Sequence, residues 1–166
     1  VPQDEKVISG YHWWVERERR REDMTPDLDH FMIDIADDTV IYAPTSELIA
    51  IIREESTWVR WWPGLTLEVY GDRGDKGLRW TVSGALVGSS EIWLESIDVA
   101  SAGEVATIVH YYLRANPTRS GSAIQSRTIT KSAREQREIH KLRERHVVQW
   151  KRTVWALKDS LENPNV

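Results

Sequence analysis

Three tryptophans fall within five positions in the stretch STWVRWWPG, residues 56–64. An indole offers a wide apolar face and one N–H donor, so Trp58, Trp61 and Trp62 are suited to covering a guest, a partner or one another. Burying one such ring removes roughly 150–250 Å² from water, worth on the order of 4–6 kcal/mol at about 25 cal/mol/Å². Something must therefore cover them. Groups able to move protons are fewer. His146 interrupts an otherwise apolar helical stripe, with Arg143 one turn earlier near the same face, and a neutral imidazole there could orient a ligand or act as general acid or base. Tyr111 adds a hydroxyl on an apolar strand face. His110 shares its strand face with Tyr112 and Arg114 and is expected in a solvated outer position. None of these makes a convincing acid–base pair, so no residue is assigned as catalytic.

Other chemistries lack carriers. His140 and His146 stand six apart, about 240° round a helix, so they cannot chelate together as an i, i+4 pair would. Asp34, Asp37 and Asp38 have no calcium-loop spacing, and zero cysteines exclude thiolate ligands and thiol nucleophiles. There is no G-x-S-x-G elbow, phosphate-binding glycine loop or dinucleotide fingerprint, so no metal or cofactor is expected. A net charge of −4 argues against a general nucleic-acid binder. The absence of a long apolar run argues against an integral membrane segment, and cytoplasm is the expected compartment.

The elements that must hold these residues follow from periodicity. Residues 1–28 read as an N-terminal appendage, a short charged helix pinned by Trp13 and Trp14, and a protein partner could dock there. Residues 29–163 read as one domain. Phe31, Ile33 and Ile35 alternate as a strand that Pro44 stops, and TSELIAIIREES then predicts a helix capped by Thr45 or Ser46 with an apolar stripe of Leu48, Ile49 and Ile52. Beyond Pro63-Gly64 comes a run of antiparallel strands. Trp80, Val82 and Leu86 share a face, as do Ile92 and Leu94, and Val109, Tyr111 and Leu113. A further strand is expected near Ile124. A long helix from about Ser132 to Leu161 closes the chain, its stripe running Ile139, Leu142, His146, Trp150, Val154, Leu157 and Leu161.

This order, with APTSEL leading the first helix, WVRWWPG leading the second strand and RHVVQWKRTVWALKDSLE in the last helix, resembles the START-like or Bet v 1-like (SRPBCC) superfamily. The family is also called the polyketide cyclase/dehydrase and lipid transport family. The resemblance spans about residues 30–162 and rests on Ala43-Pro44, Glu47 and Trp61-Trp62-Pro63-Gly64 in their order. It implies an α+β helix-grip fold, a curved antiparallel sheet wrapped around a long C-terminal helix with an internal cavity between them. A bowed sheet and a straight rod do not match in shape, so large side chains or a guest must fill the space. In that arrangement Trp58, Trp61, Trp62, Trp80, Val82, Leu94, Val109, Tyr111, Arg143, His146, Trp150 and Val154 are the expected ligand-binding residues, with the tryptophan segment as a lid. The expected function is binding of a hydrophobic small molecule such as a lipid, an isoprenoid or a polyketide. A cyclase or aromatase working in the same cavity, and an interaction module without a ligand, are the alternatives. Nine indoles could also fill the space themselves.

Overall fold

The computed structural model describes residues 31–99, 104–128 and 132–164. The expected appendage, with Trp13 and Trp14, lies outside the described residues. The elements run β1 (Ile33–Ile41), α1 (Thr45–Ile52), α2 (Glu55–Trp61), β2 (Leu65–Asp72), a 3-10 turn (Gly74–Lys76), β3 (Gly77–Gly84), β4 (Leu86–Val99), β5 (Glu104–Pro117) and α3 (Ala133–Glu162).

The strands form one antiparallel sheet in the order β1-β5-β4-β3-β2, so the first two strands in sequence are its opposite edges. The chain must therefore cross the whole sheet between β1 and β2, and α1 and α2 make that crossing over its apolar face. They bury Leu48, Ile49, Ile52 and Trp58 as they go. Alternation along the strands decides which side is apolar: Ile33 and Ile35 of β1, Leu78, Trp80 and Val82 of β3, Ile92 and Leu94 of β4, and Val109, Tyr111 and Leu113 of β5 are each at most 2% exposed. Gly77, at φ +119°, starts β3 so close to β4 that a Cβ would run into the carbonyl oxygen of Ile92, a position open only to glycine.

The long helix starts on a side-chain cap. The Ser132 hydroxyl accepts from the Glu135 backbone N–H at 3.3 Å and lies 3.3 Å from the Glu135 carboxylate, which satisfies one of the helix's orphan donors. Contacts between α3 and β1 then advance together. Arg143 Nε donates to Asp34 O at 3.2 Å, Trp150 Nε1 to Asp37 at 2.8 Å, Lys158 Nζ to Val40 O at 2.7 Å, and the Tyr42 N–H to Glu162 at 2.8 Å. Eight residues of strand and nineteen of helix cover roughly 26 and 28 Å, so α3 runs alongside β1 in the same direction.

Two local expectations are corrected. Helix α1 is entered from Pro44 in an extended conformation with no side-chain cap, and Thr45 is its first residue, because proline's fixed φ and missing N–H suit a helix entrance. The expected strand near Ile124 is reduced to a single bridge between Thr118 and Ser126. Ile124 is 72% exposed there and buries nothing that would hold a strand in place.

Candidate functional site

The sheet and α3 meet over a cluster of six aromatic rings. Tyr111 stacks on Trp150 with centroids 4.0 Å apart, and Trp62 lies parallel to both, 5.8 Å from Tyr111 and 6.1 Å from Trp150. Trp80 lies 5.9 Å from Trp62, Trp58 meets Trp80 edge-on at 5.5 Å, and Trp61 meets Trp62 and Trp150 edge-on at 5.5 and 6.3 Å. These are offset and edge-to-face geometries favoured by the ring quadrupoles. Val82, Leu94, Val109 and Val154 belong to the same core. The expected lining is thus drawn together, and the rings occupy the space between sheet and helix by packing on one another. Of the six, Trp61 alone stays partly exposed.

Polar groups inside the cluster are few and mostly partnered. Trp58 Nε1 donates to Ile52 O at 2.6 Å, which pins α2 to α1. Burial pushes the Tyr111 phenol above the ordinary tyrosine value, outweighing the opposing influence of the neighbouring Ser90 and Trp62, so it stays neutral. Ser90 donates to Tyr112 O at 2.9 Å. Trp80 Nε1 is buried with no hydrogen-bond partner.

Asp37 joins the sheet to α3. It receives the Trp150 N–H at 2.8 Å and pairs with Lys151. Alternation carries this signal, since Ile33, Ile35 and residue 37 share a face, although the sequence reading weighed Asp37 only as a calcium ligand. Asp37→Ala would leave the buried indole N–H of Trp150 without an acceptor, with an expected cost of about 1–3 kcal/mol in a urea titration.

The two polar candidates on α3 sit apart from the rings' interior. Arg143 is exposed and tied to the β1 backbone. His146 is half-buried, and desolvation, aided by Arg145, lowers its pKa. A folded-state value below the unfolded one means that the unfolded chain binds the proton more tightly. The resulting contribution to stability is full above the unfolded imidazole value, near 6.5, and is lost as pH falls from there toward the folded value. His146→Gln should therefore flatten the stability–pH curve between neutrality and pH 5 relative to the unsubstituted protein.

His110 corrects an expectation. It lies on the outer face, as alternation required, but is buried rather than solvated. The register places it opposite both Asp38 and Trp93: Nδ1 is 2.7 Å from Asp38, Nε2 is 3.2 Å from Glu95, and the ring stacks on Trp93 at 4.5 Å. Cross-strand neighbours wrap the ring on a face that periodicity alone marks as polar.

Outside the ring cluster, a groove of about 450 Å³ runs between α2 and α3. Ile51, Trp61, Ala156 and Leu157 form its apolar walls, and Arg60, Arg152, Gln149 and Thr153 are its main polar groups. Gln149 Nε2 donates to Trp61 O at 3.4 Å across the groove's end. Sequence reading missed this site, because it is assembled from residues of α1 and α2 and residues of α3 about ninety positions further along the chain.

A first strand paired with the last, two helices spanning the inner face between the edge strands, and a long terminal helix packed over an aromatic core are now in place. The chain has a helix-grip fold. No family model matches the sequence, and no curated protein matches it. Solved structures similar to this chain include the Aha1 dimer of Colwellia psychrerythraea, at 11% identity and a TM-score of 0.47, covering 81% of this chain and 99% of that one. A Deinococcus radiodurans protein aligns at 13% identity and a TM-score of 0.44, over 77% and 96% of the two chains. The Zhui aromatase/cyclase of a Streptomyces species aligns at 8% identity and a TM-score of 0.39, over 80% and 97%. Among the described residues, no helix of this helix-grip chain is long and apolar enough to cross a membrane, and no group of histidines and acids could hold a metal ion.

Proposed function

We propose that the protein binds a hydrophobic small molecule, with a lipid-, isoprenoid- or polyketide-like body, in the groove between α2 and α3. The observation that carries this reading is the partly exposed Trp61 ring. It faces the groove while its edge contacts with Trp62 and Trp150 hold it rigid. A ring fixed in advance loses little entropy when a guest lies against it. The groove's volume of about 450 Å³ falls in the range of small-molecule sites, roughly 300–1,000 Å³. On this reading the guest sits at the mouth of the space that the sequence assigned to it. Trp58, Trp62, Trp80, Tyr111, Trp150, Val82, Leu94, Val109 and Val154 form the backing. The cyclase reading would rest its chemistry on His146, Tyr111 or Arg143. Enclosure of the Tyr111 hydroxyl and the Arg143 bond to Asp34 favour binding over turnover.

Titration with a neutral hydrophobic fluorophore such as N-phenyl-1-naphthylamine tests the site. Ala156 is exposed on the groove wall, so Ala156→Trp fills the groove without touching the core. The expected result is saturable fluorescence enhancement that Ala156→Trp abolishes. Enhancement that survives this substitution would place the guest elsewhere.

A further inference from the structure

We infer that the molecule taken by the α2–α3 groove carries a single anionic head, held at Arg60 and Arg152. The inference rests on the groove reading above and adds the chemical class of the guest. The groove contains both guanidinium groups and no acid among its lining residues. Arg60 lies on α2 and Arg152 on α3, so a head between them would be met from both sides. Among the described residues neither arginine takes part in an ion pair, although Arg60 donates a 3.3 Å hydrogen bond to Thr57. This contrasts with Arg53, which lies on the neighbouring α1 cap and is satisfied by both oxygens of Asp72 at 2.7 Å.

Basic character continues past the groove's end. Gln149 and Arg152 also border a second depression along α3, whose other members are Lys141, Arg145, Val148 and Glu144. One acid among these bases leaves the rim positive in balance. The apolar walls at Ile51, Trp61, Ala156 and Leu157 then take the body, and the planar guanidinium forks suit a carboxylate better than a neutral or cationic end. Both arginines are exposed, so each contact is screened, and the head should add selectivity more than raw affinity.

Calorimetric titration of the full chain with decanoate, 1-decanol and decyltrimethylammonium, each below its micelle concentration, tests this. Decanoate should bind about four- to twenty-five-fold more tightly than decanol, and the cation more weakly than either, because two screened charge contacts each contribute about two- to fivefold. Raising the salt should narrow the gap. The double variant Arg60→Gln/Arg152→Gln, both surface substitutions, should lose the preference for decanoate over decanol, and Ala156→Trp should abolish binding of both. If decanol binds as well as decanoate, or the double variant keeps the preference, the anionic head is refuted. The groove reading survives that result provided Ala156→Trp still blocks binding. If Ala156→Trp changes nothing, or none of the three binds, both readings fall together.

Discussion

Trp150→Ala is expected to cost about 3–5 kcal/mol, a large share of the stability of a domain of this size. Trp150 is 1% exposed and packs against three other rings of the cluster. It stacks on Tyr111 at 4.0 Å, lies parallel to Trp62 at 6.1 Å and receives the edge of Trp61 at 6.3 Å. Its N–H holds Asp37 at 2.8 Å. Truncation removes the ring's transfer free energy and leaves a void that stacked aromatic walls cannot close by small shifts. At about 2–4 °C per kcal/mol, the melting temperature should fall by roughly 6–20 °C in a thermal scan. Trp150→Phe separates the contributions: it keeps a ring against Tyr111 but surrenders the N–H, so it should lose clearly less than the alanine variant. A loss below about 1 kcal/mol in Trp150→Ala would mean that α3 docks through its other contacts, chiefly the clasp of Lys158 and Glu162 on Val40 and Tyr42.

Which of these features periodicity could foresee depends on how many chain segments each one needs. The inward faces of β3, β4 and β5 were legible because alternation is local: Trp80, Ile92 and Tyr111 needed only their own strands to declare their side. The buried half of α3 followed in the same way from Trp150, Val154 and Leu157. His110 marks the limit. Its side of the sheet was legible, but its burial comes from Asp38, Trp93 and Glu95 on two neighbouring strands, and register is a property of pairs. Whether the aromatic residues line a hollow or fill it depends on rotamers and on the height of α3 above the sheet, which no local pattern encodes. The groove needs α2 and α3 side by side, a consequence of β1 and β2 lying at opposite edges, so it becomes visible only with the topology.

Trp62→Ala should open an apolar cavity inside the protein, and indole should fill it. Trp62 is 3% exposed, yet it comes from the turn after α2 rather than from the sheet or α3. It is wedged among Trp61, Trp80, Tyr111 and Trp150 at 5.5–6.1 Å. Those four neighbours are anchored by separate elements and have little freedom to collapse inward. The variant should lose about 3–5 kcal/mol, as large-to-small aromatic substitutions do. An apolar void of this kind stays dry and accepts a small aromatic guest. Added indole at a hundred times its dissociation constant would return about 2.7 kcal/mol, a rise of several degrees in melting temperature that the unsubstituted protein should not show. A variant destabilised to this degree but blind to indole would show that the turn carrying residue 62 collapses into the gap. A variant rescued by indole would demonstrate that the interior can house a planar guest wherever its own tryptophan withdraws.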